Sequence, residues 1–237
     1  MLHMIEVHPD PVRLVGYLEI CGIANHSDED LGYGVHAWLS AAFGDMAPKP
    51  WRLLWDKKRA PRILAYSRYD GEALRRRLVD FSDPAVYAVC ANQGIASRPM
   101  PQFAAGRRLM VDVQFMPVFR TSRSGVEQDI FLRQPSVGQN RLRRDELYCE
   151  WFTEQMRASD AVEVVGTSLH SFRLVRQLRR ARSATGVRSA AQLIRPQAEV
   201  RSEIIVKEPD LFTRLLARGI GRHTAFGYGM LLLRPPS

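Results

Sequence analysis

The polar and apolar positions fall into two runs with the same grammar. Residues 12–20, Val-Arg-Leu-Val-Gly-Tyr-Leu-Glu-Ile, mix β-branched, aromatic and polar residues and predict a strand. Ser27-Asp-Glu-Asp30 has the form of a capping box. Leu31, Val35, Leu39 and Ala42 then recur at helical spacing up to Gly44. Two short strands are predicted at 52–55 and 62–67, around the turn Lys57-Lys-Arg-Ala-Pro61. Asp70 to Val79 predicts a helix, and Ala85 to Ala91 a buried strand. The first half thus reads β-α-β-β-α-β. Residues 97–107, punctuated by two prolines and a glycine, predict a linker.

Beyond it, Leu109, Val111, Val113 and Phe115 alternate with Met110, Asp112, Gln114 and Met116, as a strand requires. A loop rich in Arg, Ser and Gly is expected around 120–125. Residues 141–157 predict a helix with Leu147, Trp151 and Met156 inward, and 161–168 a strand. After an Arg-rich insert, 200–207 alternate as a strand. Glu208-Pro-Asp210 opens a helix through Arg218, its proline at a tolerated first turn, and Tyr228–Leu233 predicts a last strand. The halves share no sequence repeat, yet both give the element order of the ferredoxin-like split βαβ unit. The expected fold class is α+β, two tandem ferredoxin-like (βαββαβ) domains at 1–96 and 108–237. The second carries an Arg-rich helical insertion at 169–198 and a Gly-rich loop at 219–229.

Composition adds little. With 237 residues, 46% apolar and 25% charged, the chain suits one large domain or two of roughly 100 residues. No apolar run approaches the ~18 residues that span a bilayer. The opening Met1-Leu-His-Met-Ile-Glu6 lacks the basic-then-apolar layout of an export signal, so a cytoplasmic location away from membranes is expected. Cys21, Cys90 and Cys149 are widely spaced without a CxxC pair, and the six histidines show no metal spacing. Neither a disulfide framework nor a metal or other cofactor is expected.

Charge changes the picture. Lys and Arg total 34 against 25 acidic residues, a formal net charge of +9, and only four of the 34 are Lys. Arginine's planar fork suits phosphates and guanine edges, although a GC-rich genome biases a chain the same way. The distribution is more telling. From Val164 to Ala198 no Asp or Glu occurs, while seven Arg do: Arg173, Arg176, Arg179, Arg180, Arg182, Arg188 and Arg195. Arg173, Arg176 and Arg180 stand at i, i+3 and i+7, one face of a predicted helix. Such a face is the footprint of a phosphate-backbone binder. A basic solvated helix without a partner is the plainer alternative; one aromatic and a weak apolar face disfavour a membrane-surface helix.

Two further features could carry chemistry. In Gly219-Ile-Gly221-Arg222-His223-Thr-Ala-Phe-Gly227-Tyr-Gly229 four glycines precede a strand. That is neither a dinucleotide fingerprint nor a phosphate loop. It is either a tight turn or a place where backbone approaches a ligand, with Arg222 and His223 as donors. On the first predicted helix, Tyr33 lies three residues before His36, on the same face. Imidazole moves protons near neutral pH and a neighbouring Tyr can position or polarise, although a lone His on a helix flank is more often structural.

These same residues carry a resemblance. Arg218-Gly-Ile-Gly-Arg-His-Thr-Ala-Phe-Gly-Tyr-Gly-Met-Leu-Leu-Leu-Arg-Pro235 resembles the glycine-rich C-terminal signature of the CRISPR RNA-processing endoribonucleases, in particular the CasE family of type I-E Cascade. Tyr33-Gly-Val-His36-Ala-Trp-Leu-Ser-Ala-Ala-Phe43 resembles that family's first helix, and Gln114-Phe-Met-Pro-Val-Phe-Arg-Thr121 its strand leading into a basic loop. The resemblance implies tandem ferredoxin-like domains and metal-independent cleavage at the base of a CRISPR repeat hairpin. It leaves 2′,3′-cyclic phosphate and 5′-hydroxyl ends. The implied partners are the hairpin, the mature guide RNA and other class 1 effector subunits, including the backbone subunit.

Under the resemblance His36 is the general acid/base and Tyr33 orients the phosphate or the 2′-hydroxyl. Arg120, Arg123, Arg173, Arg176, Arg179, Arg180 and Arg182, with Gly219, Gly221, Arg222 and His223, hold RNA. Two departures stand out. The lysine that often follows the glycine turn is here Thr224. The Arg-rich insertion is longer than type I-E members carry, which points also to a related type IV branch where arginines take more of the work. His26 or His223 could stand in for His36. A non-catalytic RNA-hairpin-binding subunit is the alternative function; a DNA regulator lacks its helix-turn-helix.

Overall fold

In the computed structural model the described residues are 1–23, 31–56, 59–121, 126–134, 142–182 and 188–236. Of Asp56, Asn92 and residues 177–182 and 188–193, the backbone alone is described.

The first half is built on strands β1 (His3–Val7), β2 (Trp51–Asp56), β3 (Arg59–Ser67) and β4 (Ile95–Pro99), in sheet order β2-β3-β1-β4. Helices α1 (Pro11–Ile20), α2 (Gly32–Phe43), α3 (Gly71–Phe81) and α4 (Pro84–Val89) complete it. The predicted strand at 12–20 is therefore helix α1, and the predicted strand at 85–91 is α4. The cause is the same in both. Asp10 accepts hydrogen bonds from the Val12 and Arg13 amides at 2.8 and 3.0 Å, with Pro11 at the first helical position. Pro84 likewise takes the first helical position of α4, although Asp83 makes no side-chain cap bond there. Leu14, Tyr17 and Leu18 of α1 then bury one helical face. The first and last strands of this half are β1 and β4, so the sheet extends into the segment expected to be linker, and the connection to the second half starts after Pro99. Ser27-Asp-Glu-Asp30 and His26 lie outside the described residues.

The second half repeats the plan. Its sheet runs β10-β5-β9-β8, from β5 (Arg108–Phe115), β8 (Val162–Arg182), β9 (Arg188–Val206) and β10 (Leu231–Arg234). Helix α5 (Arg144–Arg157) follows β5, and α6 (Pro209–Arg218) follows β9. A small hairpin, β6 (Val118–Arg120) with β7 (Glu127–Asp129), is inserted between β5 and α5. Numbering each half's strands in chain order, both sheets read 2-3-1-4 or its reverse, the ferredoxin-like order.

The Arg-rich insertion is not helical. It is the far end of the β8–β9 hairpin, paired continuously from Val162↔Val206 to Arg182↔Arg188, with two register shifts before Ser171. β5 pairs with β9 only as far as Phe115↔Ala198. Beyond that point β8 and β9 pair with each other as a two-stranded ribbon. A period of two replaces the period of 3.6, so Arg173 and Arg176 stand on opposite faces. Val175, on the Arg173 face, is buried with Met116, Val118 and Tyr228.

Each half has its own apolar core: Ile5, Leu14, Trp38, Phe43, Ile63 and Leu74 in the first, Phe115, Tyr148, Phe152, Val200, Phe212 and Leu215 in the second. Side-chain bonds cross between them. Tyr66 of β3 donates its hydroxyl to the Leu231 carbonyl at 2.8 Å, and Trp51 of β2 donates Nε1–H to the Ala225 carbonyl at 2.9 Å. Arg52 of β2 meets Glu199 of β9 at 2.6 Å, almost out of solvent.

Candidate functional site

The Trp51–Ala225 bond fastens the glycine-rich loop to β2, next to helix α2, whose Tyr33 and His36 meet the loop's Phe226. The loop follows α6, turns through residues 224–226 as one 3₁₀ turn, and enters β10. Its glycines all have positive φ. A Cβ on Gly227 would stand 2.8 Å from the Trp51 ring, and one on Gly221 2.8 Å from the Trp151 ring. Packing against this protein's own tryptophans is thus reason enough for glycine there. At Gly219 a Cβ would meet the Gly229 carbonyl and Pro50.

Phe226, at the tip of the 3₁₀ turn, gathers the candidate residues. Its ring lies 4.7 Å from that of His36, 6.3 Å from that of Tyr33, nearly parallel, and 6.1 Å from that of His223. Tyr33 and His36, one turn apart on α2, are both half-buried beneath it. His36 opens on a cleft of about 200 Å³ whose wall includes Ser40, Asp45, Lys49, Trp51 and Ala225. Burial, and then the charge of Lys49, hold the imidazole below its usual titration range. His36 is therefore neutral at pH 7 and able to accept a proton.

His223 and Arg222 have a shared partner. The Glu127 carboxylate of β7 takes Arg222 Nε at 2.6 Å and His223 Nε2 at 2.8 Å. Burial alone would push the Glu127 carboxyl up, but His223 and Arg222 outweigh it and hold it ionised well into acid. His223 itself has left-handed backbone, φ 66. Farther along the ribbon, the buried Gln197 donates its amide N–H to the Tyr228 hydroxyl at 3.2 Å and accepts from Arg173 Nε at 2.9 Å through its amide oxygen. Arg173 is thereby tied to the glycine loop.

The structure thus brings Tyr33, His36 and His223 to one phenyl ring; Arg222 shares Glu127 with His223, and Arg173 is linked to the loop through Gln197. Arg120 is exposed at the end of β6, directly across from Glu127. Arg176 is exposed on the other face of β8. Arg179, Arg180 and Arg182 are placed in β8 by their backbone alone, and Arg123 falls outside the described residues. Sequence reasoning missed Lys49, Glu127 and Phe226. Lys49 is one of only four lysines, flanked by two prolines. Glu127 has no local signal, since its partners are almost a hundred residues away. Among the described residues, no three His, Cys, Asp or Glu side chains are grouped to hold a metal ion, and no helix is long and apolar enough to cross a membrane.

Two ferredoxin-like halves clasped around a half-buried Tyr/His pair and an Arg-bearing glycine loop define the class of protein. A family-wide sequence profile described as CRISPR associated protein matches residues 2–235, and the chain belongs to that family. No curated protein matches its sequence. The fold is similar to that of the CRISPR endoribonuclease Cse3 bound to 19 nt RNA, with 16% identity, 98% of this chain and 100% of that chain covered, and a TM-score of 0.65. It is also similar to Thermus thermophilus Cse3 bound to an RNA representing a pre-cleavage complex, with 15% identity, 99% of each chain covered and a TM-score of 0.58. A chain of a CRISPR RNA-guided surveillance complex in a pre-nicking state matches with 17% identity, 99% and 100% coverage and a TM-score of 0.58.

Proposed function

We propose that this chain is a metal-independent endoribonuclease that binds the repeat hairpin of a CRISPR transcript and cuts it at the base of the stem. It then stays bound to the guide RNA as a subunit of a class 1 surveillance complex, in contact with the backbone subunit. The observation that carries the reading is His36, a neutral, half-buried imidazole facing a cleft, with Tyr33 on its own face and the Arg222/His223 loop across Phe226. His36 accepts the 2′-hydroxyl proton as O2′ attacks the adjacent phosphorus. Tyr33 orients the phosphate or the hydroxyl. The P–O5′ bond breaks, leaving a 2′,3′-cyclic phosphate and a 5′-hydroxyl. The arginines of β8 lie along the stem, where A-form geometry favours contacts with phosphate and shape over base edges. The association of similar structures with RNA and with a surveillance complex supports the substrate and the assembly.

The test is cleavage of a 5′-labelled repeat hairpin in excess EDTA, wild type beside His36→Ala. One cut at the stem base, slowed ~10²–10⁴-fold in His36→Ala while the gel shift persists, is expected. Tight binding without cutting by either protein would make the chain a non-catalytic hairpin-holding subunit instead. Cutting that requires added metal would refute metal independence.

A further inference from the structure

Glu127 and His223 form a second proton-handling pair beside the His36 cleft. The Glu127 side chain is only 13% exposed and sits between two donors, Arg222 and His223. An ionised carboxylate only accepts hydrogen bonds, so the ring nitrogen 2.8 Å away, His223 Nε2, must carry a proton. Nδ1 is then the nitrogen left to exchange one. The groups around His223 are Glu127 of β7, its neighbour Arg222 and the Phe226 ring, with Arg120 across the strand pair from Glu127. A buried carboxylate on one imidazole nitrogen fixes the ring's orientation and tautomer. His36 has the opposite surroundings: burial and a lysine, with no carboxylate bonded to it among the described residues. Two titratable groups in contrasting environments around one ring are the arrangement that separates an acid from a base.

We infer that His223 is the general acid of the reaction and that Glu127 is its positioning residue. His223 Nδ1 gives its proton to O5′ as the P–O5′ bond breaks, while His36 takes the proton from O2′ as the O2′–P bond forms. One proton enters the protein and one leaves it, so the cycle balances once the two imidazoles exchange with water. This rests on the endonuclease reading above, and the experiment separates the two.

Wild type, His223→Asn, Glu127→Gln and His36→Ala are compared on two hairpins, one natural and one with sulfur replacing O5′ at the cleaved linkage. A thiolate leaves without protonation. Asn tolerates the left-handed backbone at this position, and a gel shift confirms that each variant folds and binds. His223→Asn is expected to cut the natural hairpin ~10²–10⁴-fold slower and the sulfur hairpin at close to the wild-type rate. Glu127→Gln should show the same rescue from a smaller loss, and His36→Ala no rescue. Equal slowing of His223→Asn on both hairpins would make His223 a phosphate holder and overturn the inference, as would a wild-type rate on the natural one. If wild type cuts neither hairpin, the endonuclease reading fails and takes this one with it.

Discussion

The β2–β3 and β8–β9 hairpins hold the same place in the two halves, and the molecule uses them in opposite ways. The first is short, and its β2 residues turn inward: Trp51 bonds the glycine loop and Arg52 pairs with Glu199 across the seam. The second runs to 21 and 19 residues per strand and leaves its own sheet behind. One slot in a repeated fold has become an anchor in one copy and an outreaching cationic ribbon in the other. Fold repetition therefore predicts where a hairpin stands, and its residues decide what it does.

Removing the anchor has the largest effect on stability. Arg52→Met leaves the Glu199 carboxylate in a mostly desolvated seam without its cation and should cost about 3 kcal/mol in urea unfolding. The pH dependence gives the sign. Burial would raise the Glu199 carboxyl, but Arg52 holds it below the usual carboxylate range. That stability is present above the unfolded value of about 4.3 and is lost as pH falls through the folded one. In Arg52→Met this acid-dependent step should vanish. A variant as stable as wild type at pH 7 would mean the seam is held elsewhere. Trp51→Phe comes next. It strips the donor from the Ala225 carbonyl and should cost about 1 kcal/mol, with kcat falling more than binding because that loop carries Phe226.

Lys49 precedes the anchor and sharpens the comparison through chemistry. Its charge is the second cause of the lowered His36 titration, so Lys49→Gln should let His36 protonate at higher pH. The acid limb of kcat/KM, expected below the ordinary imidazole value of about 6.5 in wild type, should move up towards it. An unmoved limb would detach the limb from His36.

Much of this is legible in the sequence, and the exceptions share causes. The Gly-rich loop and the α2 pair stand out because each is local: Tyr33 and His36 are one turn apart. Glu127 and Phe226 matter only through neighbours distant along the chain, which a linear reading does not contain. Glu208-Pro209 marks its helix start correctly, whereas Asp10-Pro11 and Asp83-Pro84 carry the same signal and are outweighed by the β-branched residues after them. The element order survives because β1 and β4, short strands at the margins, take the places of the two misassigned segments. The Arg-rich run misleads because Arg173, Arg176 and Arg180 fit a helical period by spacing alone. Pairing with β9 overrides that period.

That last difference yields the finest test. On a helix Arg173 and Arg176 would share a face and contribute alike to RNA binding. On β8 they face opposite ways, and Arg173 is tied through Gln197 to the glycine loop beside His36. Each arginine that neutralises a phosphate adds about 0.7–0.9 to the steepness of log K against log salt. Arg173→Ala should flatten that slope by one such step and weaken the gel shift several-fold, and Arg176→Ala should do less. Neither should alter the urea midpoint, because exposed arginines contribute little to folding. Equal effects would mean that the hairpin stem wraps both faces of the ribbon. The ribbon would then be a clamp rather than a rail, and the contrast with the inward-facing β2–β3 hairpin would be wider still.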